Sequence, residues 1–425
     1  MKRVAIVLPS PFRRECWRSP LRGPWLTSVL GAVLLAGIPI VAVTGLLSYA
    51  AYEPSLGRNN LIGDPGLLDF FVFSWPTSPS WLYALTQGLH VTVGIALVPI
   101  VLVKLWSAMP KLFEWPALRS PAHALERVSL ALLVSSTLFQ FATGILNAQL
   151  YYPWRFSFLA AHFYGAWVFL AAFVLHAVLK LPTMRRSLRQ RRLLDELRRG
   201  LDETKPETGD SALIPAAPSA PTISRRGVLG LTGGASLGLL ALTAGQSVGG
   251  PLREIALLAP HGRDLGSGPN DFQINKTAAS VGITSAQTGD AWRLRVAGGR
   301  RPLELSRAQL LALPQHSYEL TIACVEGWST TQSWSGVRLR DLAAVAGVET
   351  FDELYVESVQ RGGSFRRASL SVSQASDRRA LLALRVNGAE LSADHGYPAR
   401  IVVPALPGVH CTKWVSLLEF RGTRA

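Results

Sequence analysis

Cysteine is nearly absent from this chain of 425 residues, occurring only as Cys16, Cys324 and Cys411. Three scattered thiols exclude a disulfide framework. Behind residue 250 there is also no zinc-type Cys/His spacing, no P-loop, no Ser-His-Asp motif and no internal repeat, so the common signatures of hydrolytic and nucleotide chemistry are missing. Acidic residues are scarce, 28 against 43 basic ones, which leaves a net charge of +15. Much of that excess flanks apolar spans, where it sets topology, so nucleic acid is not an expected partner. Hydrophobic residues make up 48% of the chain and the mean hydropathy is +0.23, too apolar for an ordinary soluble enzyme. The length suits two or three domains.

After a basic N-terminus, 1–23, with Lys2, Arg3, Arg13, Arg14, Arg18 and Arg22, four runs of membrane length follow at about 24–49, 81–106, 128–150 and 158–181. The loops at 50–80 and 151–157 hold one arginine each, Arg58 and Arg155. The opposite side carries Lys104, Lys111 and Arg119, then Lys180 and the Arg-rich stretch 184–200. The positive-inside rule therefore puts the N-terminus and the Arg-rich stretch in the cytoplasm of a multi-pass protein in a bacterial inner membrane. That stretch, with Leu193, Leu194 and Leu197 at helical spacing, reads as a basic helix near anionic lipid.

Three histidines fall inside these spans, where a polar ring is costly. His162 and His176 are fourteen residues apart, which returns a helix to within about 40° of its starting face after a rise of about 21 Å. His90 and His162 lie at similar depth from the outer side, so they can clamp one haem b iron from two helices. The alternative is interhelical hydrogen bonding or packing. Residues 161–165 and 175–180 resemble the fourth helix of the cytochrome b subunits of formate dehydrogenases and hydrogenases. Those subunits carry a second, inner haem with a ligand on the first helix. The first span here has no histidine, so one haem is expected and His176 would serve a second only if a partner exists.

Composition shifts at 201–222 to Pro, Ala, Ser and Thr, the mark of a linker; 184–222 is read as a cytoplasmic basic segment and linker. Ser224-Arg225-Arg226-Gly227-Val228-Leu229 then precedes a Gly-rich apolar run, so 223–249 reads as a fifth helix. Its start resembles a twin-arginine export signal, with a plain positive-inside flank as the simpler reading. Both place 250–425 outside. That part has β-type runs at 292–296, 318–323, 354–359, 399–403 and 414–420, short helical patterns at 307–313 and 339–346, and an Asn387-Gly388 hairpin signal.

In Thr321-Ile322-Ala323-Cys324-Val325-Glu326-Gly327-Trp328-Ser329 a β-type run delivers one cysteine to a Gly/Trp break. A soft thiolate there suits a transition metal whose other ligands come from a cofactor, although an isolated cysteine is more often core. A second stretch contains Asn387-Gly388, His395-Gly396-Tyr397-Pro398-Ala399-Arg400 and Cys411-Thr412-Lys413-Trp414. An arginine fork, an imidazole and a tight turn with a lysine are suited to a phosphate. The two stretches together resemble the sulfite oxidase superfamily of molybdopterin enzymes, in particular the bacterial methionine sulfoxide reductase branch. The resemblance implies that Cys324 binds molybdenum and that His395, Arg400, Cys411, Thr412 and Lys413 hold the molybdopterin. It also makes Asn270, Gln273 and Ile274, in an Asn-Asp-Phe segment, and Ser358 cofactor contacts. In this branch Arg361, Arg366 and Arg367 would attract an anionic substrate, the plainer reading being a solvated polar loop.

The expected architecture is an all-α membrane bundle, 24–183, with a fifth anchor helix, followed by an α+β molybdopterin domain. The expected function is oxygen-atom or two-electron transfer on a small, sulfur-containing molecule, linked through haem b to a quinone in the bilayer or to a redox partner protein. The competing reading is a non-catalytic cofactor-binding or sensory domain on a haem-free anchor.

Overall fold

The structure is a computed structural model and describes residues 12–115 and 120–422. Lys2, Arg3 and Arg119 lie outside the described residues. Among those described, five helical spans are long and apolar enough to cross a membrane. They are built from α1 (Pro24–Ala51), α2 (Leu82–Ala96) with α3 (Val98–Leu112), α4 (Pro121–Ala148), α5 (Phe158–Gln190) and, after the short α6 (Leu193–Arg198), α7 (Arg225–Val248). The second span is interrupted at Leu97 because Pro99, in the first turn of α3, has no N–H to give the preceding turn.

Contacts divide the chain into two compact units that cut across α1, the second span and α7. One holds Met1–Ala42, Val93–Asn147 and Tyr152–Leu240; the other holds Val43–Thr92, Ala148–Tyr151 and Ala241–Ala425. The core of the first unit joins Trp25, Leu26, Leu30 and Ile38 of α1 to Leu97, Ile100 and Phe169. Arg191 and Arg192 separate α5 from α6, so the basic stretch is two helices and not the single one expected. Its charge is drawn inward: Glu196, 1% exposed, pairs with Arg191 (3.5 Å), Arg199 (2.5 Å) and Arg225 (3.2 Å). The stretch read as a linker forms no helix or strand but is fastened, since Glu207 accepts the Trp25 N–H at the start of α1 (3.1 Å).

The second unit contains the α/β part. Among the described residues its ten strands are β1 (Leu294–Ala297), β2 (Leu303–Leu305), β3 (His316–Ala323), β4 (Ser329–Arg338), β5 (Glu353–Ser358), β6 (Arg367–Ser371), β7 (Leu381–Val386), β8 (Ala389–Glu390), β9 (Arg400–Val402) and β10 (Val415–Arg421). They form one sheet ordered β2-β1-β10-β5-β6 and another ordered β3-β4-β7-β8, with β9 also on β7. Among the described strands, only β1 and β10 pair in parallel. Asn387 and Gly388 both have positive φ, as a two-residue β-turn joining β7 to β8 requires. The main core, with Leu294, Val337, Leu354, Leu382, Ile401 and Val415, packs side chains from both sheets.

The connection between α1 and α2 is part of this unit. Asn59 exchanges two hydrogen bonds with the backbone of Ser369 on the edge strand β6 (2.7 and 3.2 Å), and Trp75 donates its indole N–H to the Ala405 carbonyl (2.7 Å). Glu53 is 4% exposed and accepts from Trp75 N–H and Gln374; burial holds its carboxyl above the usual range.

Candidate active site

Cys324 follows β3 immediately and is 2% exposed. Its N–H donates to the Trp328 carbonyl and its carbonyl accepts from Gly327, both at 3.0 Å, closing a tight turn between β3 and β4. Gly327 has φ +92°, and a Cβ there would lie 2.8 Å from Val91, so a side chain is excluded by conformation and by space. Glu326, also buried, accepts from the Trp328 indole and from His261 (2.9 Å). Burial, and secondarily Glu326, pushes the Cys324 thiol well up, so a cation must displace its proton.

The second sequence stretch lies alongside. Gly408 donates to the Ala323 carbonyl at 2.7 Å, and Ala323 forms an isolated bridge with Pro407. Arg400 is 4% exposed; it donates to the carbonyls of His395 (3.2 Å) and Cys411 (3.3 Å), and its Nε has no hydrogen-bond partner among the described residues. Lys413 donates to the carbonyls of Asp394 (2.7 Å) and Lys276 (2.9 Å). Among the described residues neither cation pairs with a carboxylate. Burial brings Arg400 down to about 10, and burial with the Arg400 charge holds Lys413 well below the usual lysine range. The His395 imidazole stacks on Phe272 with centroids 3.7 Å apart and hydrogen-bonds the Asn270 carbonyl (2.8 Å). Burial, then Arg400 and Lys413, bring it down to about 3, so it is a neutral donor through Nε2.

Cys324, Gln273, Arg400 and Lys413 line one narrow cavity with Phe272, Asn275, Ile322, Trp328, Thr330 and Gly408. Phe272, Gln273 and Thr330 also border an open groove of about 810 Å³ that includes Arg253 and Arg263. The donor set fits a metal carried on an anionic organic group: one thiol, two buried cations without counter-ions, and the buried unbonded Thr412 Oγ and His410 Nε2 nearby in sequence. No three His, Cys, Asp or Glu among the described residues form a metal cluster by themselves.

The other expected contacts are distributed less evenly. Asn270 is committed to structure, bonding the Glu390 carbonyl and Ser392 N–H with its amide. Ser358 is buried at the end of β5 opposite Val415 and accepts from Gln360 N–H, outside the cavity lining. Ile274 is half-buried and does not line the cavity either. Cys411 is buried, and its carbonyl serves Arg400. Arg366 and Arg367 are not free to attract an anion: both pair with Glu357 (3.3 and 3.1 Å), while Arg361 is exposed. Phe272, Asn275, Thr330 and Gly408 were not expected. Phe272 could have been found from its place beside Asn270 and Gln273.

The turn after Cys324 is also held by helices of the same unit. Gln87 of α2 donates to the Val325 carbonyl (2.5 Å); Gln246 of α7 donates to the Glu326 carbonyl (3.3 Å), and Ser247 donates to that of Gly327. Of the intramembrane histidines, His90 belongs to this unit and packs on Gly45, where a Cβ would come within 2.8 Å of the ring. His162 belongs to the first unit, bonds Thr143 (3.0 Å) and packs on Gly144. His176 lines a mainly apolar cavity of about 380 Å³ in the first unit, with Lys104, Lys111, Glu126 and Lys180 in its wall.

Residues 281–425 match the family model described as the oxidoreductase molybdopterin binding domain. Rat mitochondrial sulfite oxidase is 34% identical over 154 residues, covering 30% of this chain and 28% of that protein. The uncharacterized oxidoreductase YuiH of Bacillus subtilis (strain 168) is 32% identical over 131 residues, covering 30% and 65%. The crystal structure of the sulfane dehydrogenase SoxCD from Paracoccus pantotrophus shares 28% identity over 31% of this chain and 38% of its own, with a TM-score of 0.29. The chain therefore spans little more than a quarter of the length of the mammalian relative, and the family model covers only the α/β part.

Proposed function

We propose, for a chain whose α/β part is a molybdopterin oxidoreductase domain of the sulfite oxidase type, a membrane-bound enzyme that exchanges an oxygen atom or two electrons with a small sulfur-containing substrate outside the membrane. The observation that carries this reading is the meeting of Cys324 with the unpaired cations Arg400 and Lys413 in one cavity. Molybdenum, when bound, supplies the two-electron redox change and the oxygen-atom exchange. Cys324 Sγ would hold it. Arg400 and Lys413 would meet the pterin phosphate, and a negative charge between them would favour the protonated lysine. His395 holds the Asn270 segment against the site with its one N–H. The Trp328 ring and the closed 324–328 turn keep bulk water from the thiol. Substrate reaches the site from the open groove, where Arg253 and Arg263 favour an anionic or strongly polar sulfur compound.

The five apolar spans anchor the chain, with the N-terminus and α5–α6 junction in the cytoplasm on the positive-inside argument. Arg225 is locked in an ion pair with Glu196, so a twin-arginine signal would be read before this unit folds. One haem b on His90 and His162 links the site to quinone, for which the cavity beside His176 has suitable volume and polar groups. The test is metal, pterin and haem analysis of the protein purified from membranes, then redox assay with sulfite and methionine sulfoxide. Molybdenum with turnover supports the enzyme reading. Cofactor without turnover on any sulfur substrate favours the sensory one.

A further inference from the structure

Arg22, two residues before α1, is only 6% exposed. Its guanidinium carbon lies against the rings of Trp17 (4.8 Å) and of Trp106 in α3 (4.5 Å), and its Nε has no hydrogen-bond partner among the described residues. Among those residues it pairs with no carboxylate, and residues 1–11, its neighbours in sequence, contain no Asp or Glu. Arg225 is the contrast. It reaches the nearby Pro20 carbonyl and is also buried, but it is held by Glu196 (3.2 Å) and by the Lys205 carbonyl (2.6 Å). Indole faces attract a cation but do not accept the directed N–H bonds along a guanidinium edge, so at Arg22 those donors remain for an oxyanion. A buried cation without an anion is costly.

Arg22 borders an open groove of about 600 Å³ built wholly from the first unit, where α1 and α7 begin. Arg18 adds a second, exposed cation to its wall, and no Asp or Glu lines it. The rest of the wall is mixed: Val103, Val228 and Leu231 are apolar, Leu231 being 68% exposed, while Ser219 and Thr222 bring hydroxyls. Paired arginines and an indole beside the start of apolar spans suit the polar boundary of a bilayer. We propose that this groove binds one anionic phospholipid of the phosphatidylglycerol type, with its phosphate on Arg22 and Arg18 and an acyl chain along Val103 and Leu231. Free phosphate would leave the apolar wall uncovered. A zwitterionic lipid would bring an ammonium to a groove with two arginines and no carboxylate, whereas glycerol hydroxyls can meet Ser219 and Thr222. The basic stretch 184–200, the lipid contact expected from sequence, instead commits Arg191 and Arg199 to Glu196.

The site rests on the membrane reading of the five spans and on neither molybdenum nor haem, so lipid binding alone reports it. Full-length protein, purified from membranes in detergent and freed of lipid, is titrated with phosphatidylglycerol, with phosphatidylcholine of the same acyl chains and with inorganic phosphate, and the bound molecules are counted by native mass spectrometry. One phosphatidylglycerol binds about tenfold or more tighter than phosphatidylcholine. Arg22→Met weakens it by about tenfold or more, since a buried charged donor is lost. Arg18→Met weakens it by about fivefold and, because Arg18 is exposed, decides the matter if the Arg22 variant does not fold. Arg185→Met, which removes an exposed cation of α5 outside the groove, leaves binding unchanged. No bound phosphatidylglycerol, equal binding of the two lipids, displacement of the lipid by inorganic phosphate, or equal affinity in Arg18→Met and Arg185→Met overturns the lipid site alone. A chain that purifies from the soluble fraction overturns it together with the membrane reading.

Discussion

Gly408 donates its N–H to the Ala323 carbonyl at 2.7 Å, and this bond ties the segment that carries Lys413 to the strand that ends in Cys324. Two stretches some 80 residues apart thus present a thiol and two cations to one cavity. A Cβ at Gly408 would sit 3.0 Å from that carbonyl, a tight approach. Gly408→Val is expected to lower pterin content more than stability, measured by pterin fluorescence after oxidation beside thermal unfolding. Equal loss of both would make the contact purely structural.

Lys413→Met separates a cofactor role from a scaffold role. In the scaffold, the change removes donors from two carbonyls but also removes a buried cation next to Arg400, so cofactor-free stability should shift by only about 1–2 kcal/mol in either direction. Molybdopterin content should fall about tenfold or more, since the anion loses a buried positive partner. Retention of full cofactor content would refute the phosphate assignment.

The His395 imidazole sits at about 3 when folded, against about 6.5 for an exposed histidine. The unfolded chain binds the extra proton across that interval, so this residue's stability contribution is complete above about pH 6.5 and is lost as pH falls towards 3. Its size is of the order of a few kcal/mol. The cofactor-free protein should therefore unfold more readily from pH 7 to pH 5, and His395→Gln should flatten that slope. An identical slope in the variant would contradict the burial of a neutral ring.

Haem stoichiometry decides the role of the His176 cavity. With haem only on His90 and His162, a redox titration shows one b-type component, and His176→Ala leaves the spectrum unchanged while weakening inhibition by a quinone analogue. Gly45→Val should remove the haem by displacing the His90 ring. Two components, one of them lost in His176→Ala, would assign the cavity to a second haem.

Much of the α/β part was legible in the sequence because its strands are apolar and β-branched: β3, β5, β9 and β10 begin within about two residues of the runs read for them. The strand β4 was missed because Ser329-Thr330-Thr331-Gln332-Ser333 is polar, and its place between β3 and β7 is decided by tertiary pairing. Arg400 and Lys413 could be singled out because a charged side chain is unsuited to a core, and Cys324 because a Gly/Trp break follows it and the two stretches together resemble one family. Thr330 and Gly408 could not, since their residue types carry no sign of the neighbour they meet. The engagement of Arg366 and Arg367 by Glu357 was likewise invisible, as were the Gln87 and Gln246 contacts, which depend on helices meeting a turn more than 70 residues away.

The most direct test of the central claim is the molybdenum content and Mo(V) resonance of the purified full-length protein beside its Cys324→Ser variant. The account predicts about one molybdenum per wild-type chain. In the variant it predicts loss of the metal or an altered resonance, with turnover reduced by more than the roughly 10–100-fold typical of residues behind a ligand. Equal metal, an unchanged resonance and full turnover in the variant would contradict it.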